Sequence, residues 1–163
     1  MQRIFQFLLI FSAVIICTSC NPDEIPEQTM EGTWDLVEIR GHWTPVLSGE
    51  DLSIRETYTF HPNGTFTKSR VGAEFDHYGS GTFTLTVPDP TIEGNENVRY
   101  EVDLIFNTNV STDIIYGCNI GPEEFRDSDE EFIERMYLRD DGLLRNWGCY
   151  RIADLSLFVY SKK

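Results

Sequence analysis

Residues 58–67 read Tyr58, Thr59, Phe60, His61, Pro62, Asn63, Gly64, Thr65, Phe66, Thr67, and this stretch decides the fold. Apolar and hydroxyl side chains alternate on both sides of a Pro-Asn-Gly centre, which is the pattern of two half-buried strands joined by a tight turn. Two registers are open to it. A two-residue loop at Asn63 and Gly64 pairs Phe60 with Thr67 and sends Phe60 and Phe66 to opposite faces. A three-residue loop, with Gly64 in the left-handed bulge position, pairs Phe60 with Phe66 and puts both rings on one face. Burying two rings together selects the second.

The same period of two runs outward along the chain. Phe83, Leu85 and Val87 alternate with Thr82, Thr84 and Thr86 between Gly79 and Val87; Tyr100, Val102, Leu104 and Phe106 alternate with Arg99, Glu101 and Asp103. Further strands are expected at 33–40, 56–61, 65–70, 113–116, 132–138, 144–152 and 155–160, with a second tight turn at Arg139, Asp140, Asp141 and Gly142. Nowhere does a long helical stripe appear. Eight to ten short strands, roughly, in one chain of this size mean an all-β antiparallel barrel or sandwich, and the up-and-down barrel of about eight strands is the expectation taken here.

The chain has 163 residues and a formal net charge of −14, with 27 acidic and 13 basic side chains. The acidic residues are spread along it, so their first role is solubility. Such a surface repels phosphate backbones, which excludes nucleic acid as a partner. Residues 1–19 have a different character. Arg3 is followed by an almost unbroken apolar run from Ile4 to Ile16 and then by Cys17, Thr18, Ser19 and Cys20. The run is too short for a bilayer span, which needs roughly 20 residues, and fits the hydrophobic region of a secretion signal.

The order basic, apolar, small, cysteine resembles the lipobox of bacterial lipoproteins. That resemblance implies a diacylglycerol thioether on Cys20, which becomes the new N-terminus and anchors the protein in the outer membrane of the cell envelope without crossing it. Ordinary signal-peptidase cleavage near Ser19 is the alternative. Residues 20–30 then read as an acidic, Pro-containing tether. Asp23, Glu24 and Glu27 close to the lipidated cysteine resemble the surface-export signal of Bacteroidetes lipoproteins; attachment facing the periplasm is the other reading. With Cys17 removed and Cys20 lipidated, Cys118 and Cys149 remain, and an oxidising compartment favours their pairing as a disulfide worth about 3.5 kcal/mol. Two separate thiols or a metal pair are the competing readings.

Gly32, Thr33 and Trp34 open the first strand of the domain spanning residues 31–163. This Gly-x-Trp motif, with the Phe60–Phe66 hairpin and the strand count, resembles the lipocalin-like domain lipoproteins of the Bacteroidetes. The resemblance implies that Gly32 and Trp34 close one end of the barrel, that Arg145 or Arg151 stacks on the indole, and that Thr112, Asp113 and Tyr116 stand near the second lipocalin signature. A barrel of this size either fills itself or holds one small ligand. If it holds one, that ligand is apolar, and the residues expected to meet it are Trp43, Tyr58, Phe60, Phe66, Phe83 and Tyr100. Trp43, with His42 and Pro45, lies in a loop that could cap the barrel or pack locally.

Catalytic readings fare poorly. His42, His61 and His77 are scattered, and no pair has metal-ligand spacing. Asp76 and His77 are neighbours on a strand and so point to opposite sides. Asp127, Asp129 and Glu131 alternate, but Phe132 stands where a calcium loop needs Gly, so a solvated acidic loop is expected. No nucleophile motif is present. The expectation is a non-enzyme without cofactor or metal: an envelope lipoprotein binding a small apolar molecule, or a protein-interaction module with a solid barrel that meets another envelope protein.

Overall fold

The computed structural model describes residues 29–41, 45–116, 133–147 and 156–163. The signal stretch, Cys20, Trp43, Cys118, Cys149, Arg151 and the 127–131 acidic run lie outside them. The described chain is all-β, and its strands are β1 (Gly32–Arg40), β2 (Leu47–Ser48), β3 (Arg55–Phe60), β4 (Thr65–Val71), β5 (Asp76–Thr86), β6 (Val98–Phe106), β7 (Ile133–Arg139), β8 (Leu144–Asn146) and β9 (Leu157–Lys162). All pairings are antiparallel, in the order β1, β3, β4, β5, β6, β7, β8, β9, and β9 pairs back onto β1. Eight strands thus close a barrel, while β2 only extends β1 through Glu38–Ser48 and Ile39–Leu47.

The hairpin takes the register that burial selects. Phe60 stands opposite Phe66, His61 N–H donates to Thr65 O at 2.9 Å, and Gly64 sits at φ +78°. The ring centroids of Phe60 and Phe66 are 6.3 Å apart. At the second turn, Gly142 has φ +77° and its N–H reaches Arg139 O at 3.0 Å, so β7 and β8 form the expected hairpin.

Three expectations about strands are corrected. Residues 113–116 form no strand: Thr112–Ile114 is a 3-10 turn, stabilised by Ser111 Oγ accepting from Asp113 N–H at 3.3 Å. Ile114 and Ile115 are both buried, an adjacency that a half-buried strand would not give. β8 is shorter than residues 144–152, because among the described residues it stops at Asn146 and Trp147 beyond it is half exposed. β5 starts at Asp76, earlier than Gly79, and runs through two inward glycines. A Cβ on Gly81 would lie 1.9 Å from Ile105 O, and one on Gly79 would meet the Phe106 ring at 3.0 Å. These glycines let β6 and a bulky ring approach β5, which is why a strand contains residues that ordinarily weaken one.

Because neighbouring strands alternate in direction, the barrel has two distinct ends. The end where β1 begins carries the connections 61–64, 87–97 and 140–143, and is called here the Trp34 end. At the far end the strands lead into 41–54, 72–75, 107–132 and 147–156. No helix among the described residues is long and apolar enough to cross a membrane.

Candidate functional site

The inward side chains divide into two halves along the barrel axis. Near its start, β1 turns Trp34 inward, fully buried, with its indole N–H donating to Met30 O at 2.8 Å. Gly32 has φ +111°, a conformation that favours glycine, and a Cβ there would also press on the Lys162 side chain at 3.1 Å. The cation over the indole is Lys162, whose Nζ lies 5.8 Å from the ring and donates to Thr29 O at 2.8 Å. Lys162 is Trp34's direct partner across β1 and β9, which is why it takes this place. Arg145 instead pairs with Asp141 four residues before it, at 2.7 Å. Phe60 meets Phe83 edge-to-face at 5.0 Å, and Phe66 meets Phe106 likewise at 4.9 Å. Such pairs add about 0.5–1.5 kcal/mol each beyond the area they bury.

Two steps further along the same strands the chemistry changes. Reading inward positions toward the far end, β3 runs Phe60, Tyr58, Glu56, and β4 runs Phe66, Lys68, Arg70. Glu56, Lys68, Glu134 and Asn146 are all at 2% exposure or less, deep inside a barrel expected to be lined by apolar side chains. Lys68 Nζ donates to Glu134 Oε2 at 2.9 Å and lies 3.4 Å from Glu56 Oε1. Arg70 Nε donates to Glu56 Oε2 at 2.5 Å, and its guanidinium lies 3.8 Å from the centre of the Tyr116 ring. Tyr160 donates to Glu56 at 2.7 Å and Tyr116 Oη to the same carboxylate at 2.9 Å. Glu134 also accepts from Tyr58 Oη, from Asn146 Nδ2 at 2.5 Å and from the Tyr116 backbone N–H at 3.1 Å.

Two carboxylates and two cations sum formally to zero, so the cluster is neutral as a whole, with Glu56, Lys68 and Glu134 taken from water and Arg70 at its edge. Desolvation pushes the Glu134 carboxyl above its ordinary range, with Lys68 opposing that shift and the nearby Glu56 adding to it. Tyr58 and Tyr160 are pushed well above the ordinary tyrosine value, first by burial and then by the carboxylates beside them. The phenols therefore stay protonated and act as donors. One N–H group is left over: Arg70 Nη2 is buried without a hydrogen-bond partner, while Nη1 donates to Asp113 O at 2.7 Å.

Of the residues expected to meet a ligand, Tyr58, Phe60 and Phe66 are fully buried and packed on one another. Phe83 and Tyr100 are partly buried against the same core, and Trp43 lies outside the described residues. The barrel brings the first five together as packing. Sequence reasoning missed Glu56, Lys68, Arg70, Glu134 and Asn146. The signal was present in the register: once Phe60 pairs with Phe66, Tyr58 must pair with Lys68 and Glu56 with Arg70, all on the same inner face. Among the described residues, no group of three His, Cys, Asp or Glu could hold a metal ion. His77 points inward and stacks on Phe75 at 5.2 Å, whereas Asp76 points outward.

Fold and interior together define an eight-stranded antiparallel barrel compatible with a lipocalin-like architecture. Comparison with protein-family models, with curated proteins and with solved structures finds no match for this chain.

Proposed function

We propose that this protein is a lipid-anchored envelope protein whose barrel is a filled, non-catalytic scaffold that meets a protein partner through its surface and far-end connections. The observation that carries the reading is the occupancy of the barrel axis. Tyr58, Phe60, Phe66, Lys68 and Glu134 all lie at 1% exposure or less, where a ligand-holding barrel keeps space. An apolar ligand in the described part of the interior would have to displace packed rings, or lie against a charged cluster that offers it nothing. Native mass spectrometry on protein purified from its own host tests this. The protein should appear at the mass of the lipidated chain alone; a retained apolar molecule would overturn the filled-barrel reading and restore ligand carriage.

The anchor rests on Cys20 and the preceding signal, so Cys20→Ser should release the protein from the membrane fraction or trap the precursor. Unchanged membrane association would end the lipoprotein reading and leave the filled barrel untouched. The proposed Cys118–Cys149 bond finds support in the flanking residues. Tyr116, two positions before Cys118, and Asn146, three before Cys149, both hydrogen-bond to Glu134. Thiol labelling of the denatured, unreduced chain carrying Cys20→Ser should find neither Cys118 nor Cys149 reactive, and labelling of both would exclude the bond.

A further inference from the structure

The outer wall of the barrel is as divided as its interior. On β6 and β7 ion pairs run across the outer face: Arg135 lies 2.9 Å from Glu101 and 2.7 Å from Asp103, and Arg99 lies 3.8 Å from Asp140 in the turn after β7. On β3, β4 and β5 the outward residues are hydroxyls from the Trp34 end up to the row Arg55, Val71 and Asp76. Thr57, Ser69 and Tyr78 form one cross-strand row, and Thr59, Thr67 and Ser80 form the next. In a chain with 27 acidic side chains, these two rows carry no charge.

The same rows lie in two adjoining depressions, of about 580 Å³ and about 480 Å³, that share Thr57 and Ser69. Both volumes fall in the roughly 300–1,000 Å³ range of small-molecule sites. One wall of the trough is the turn at Gly49 with Leu52, and the opposite wall is Tyr78 with Asn109. The Asp35–Lys163 ion pair, at 2.7 Å, closes one edge. Tyr78 is 66% exposed, so its ring offers an open apolar face at the end of the first row.

We propose that this trough on the outer face of β3, β4 and β5 binds a neutral oligosaccharide. The two hydroxyl rows can both donate to and accept from a polyol. The charges at the β1 side of the trough, Asp35 and Lys163, are paired with each other, and Leu52 and Ile54 beside them add an apolar flank of the kind a pyranose face packs on. Neighbouring strands stand about 4.8 Å apart, close to the length of one pyranose unit, so a sugar chain lying across the strands meets a fresh hydroxyl pair at each ring. The Tyr78 ring supplies the flat face on which the apolar side of a pyranose stacks. The site is distinct from the filled interior and needs no lipid anchor, so it stands or falls separately from the function proposed above.

The test is an amide-resolved titration of the full chain in a zwitterionic detergent, since glycoside detergents would compete. Neutral hexasaccharides of glucose, mannose, galactose and xylose are added, with hexagalacturonate as the acidic counterpart. At least one neutral chain should shift the amides of Thr57, Thr59, Thr67, Ser69 and Tyr78, and the acidic chain should not. Thr67→Glu, which places a carboxylate in the floor, and Tyr78→Ala should each weaken that binding at least about tenfold. Both positions are exposed, and melting curves check that the variants stay folded; Ser69→Glu serves as a second floor variant if Thr67→Glu melts early. The proposal is overturned if no neutral oligosaccharide shifts these amides, if the shifts fall on the far-end connections instead, or if binding survives all the variants.

Discussion

The two halves of the barrel interior are equally buried and differently built. Around Trp34, Phe60, Phe66 and Phe83, space is filled by rings whose mutual attraction is non-directional apart from a preference for edge-to-face contact. Around Glu56, Lys68 and Glu134, space is filled by groups that tolerate burial only while every partner is in place. The first half should lose stability in proportion to the volume removed. The second should lose it according to which charge is left uncompensated. Apolar burial already fixes strand register, since a one-residue slip would turn every ring to solvent; four polar residues meeting at set positions add a second constraint.

The comparison is broken most directly at Lys68. Lys68→Met keeps the volume of the stem but leaves Glu56 and Glu134 facing each other without the ammonium, and the expected loss reaches the upper part of the roughly 3–5 kcal/mol range for a broken buried pair. Denaturant melts measure it; a loss below about 1 kcal/mol would mean that the network does not hold the far half together. Trp34→Ala, the matching truncation in the aromatic half, should cost about 3–5 kcal/mol, nearer the middle of that range because Met30 and Lys162 can close in on the cavity. The two variants should differ in kind. Restoring volume as Trp34→Phe should recover much of the loss, whereas no apolar residue at position 68 should rescue the charge.

Glu134→Gln sharpens the comparison through pH. Burial raises the folded-state value of this carboxyl above its unfolded one. Its favourable contribution is therefore complete below the unfolded value, about 4.3, and declines as pH rises through the folded value. The parent chain should lose this increment on going from acid toward neutral pH, and Glu134→Gln should remove that part of the slope while costing about 1–3 kcal/mol in hydrogen bonds at neutral pH. An unchanged pH profile would locate the titrating group elsewhere. Tyr58 and Tyr160 add an alkaline counterpart, because unfolded tyrosines ionise near pH 10 and these two do not follow until well above it. Stability should therefore fall above about pH 10, and less steeply in Tyr160→Phe. The smallest effect belongs to Arg145→Ala. Its pair with Asp141 lies at the barrel surface, and a loss of about 0.5 kcal/mol or less is expected from the same melts.

The aromatic half was legible in the sequence and the ionic half was not, although both obey the same alternation. Phe60 and Phe66 announce burial by their side chains, so the register and the residue types agree. Lys68, Arg70 and Glu56 sit on the same inner face, but their chemistry argues for solvent, and composition prevailed over period. The partner that makes their burial tolerable, Glu134, lies 66 residues beyond Lys68, beyond the reach of any local pattern. Trp34 was placed by its motif, whereas the cation above it was not. Lys162 is its neighbour only once β9 returns to β1, and that closure is invisible without the strand order. The 112–114 turn failed as a strand for a local reason: Ser111 offers the backbone a hydrogen bond that an extended segment would not use.

The pairing of β1 with β9 also bears on the history of each molecule. Trp34 finds its cross-strand partner at Lys162, in the last described strand, and between them run all the other described strands. Contacts of such sequence separation form slowly, because the whole intervening loop must be ordered before the seam is rewarded. Until β9 docks, β1 is paired only with β2 and β3, and the barrel cannot shut. The topology itself thus keeps a newly made molecule open until its first and last described strands meet.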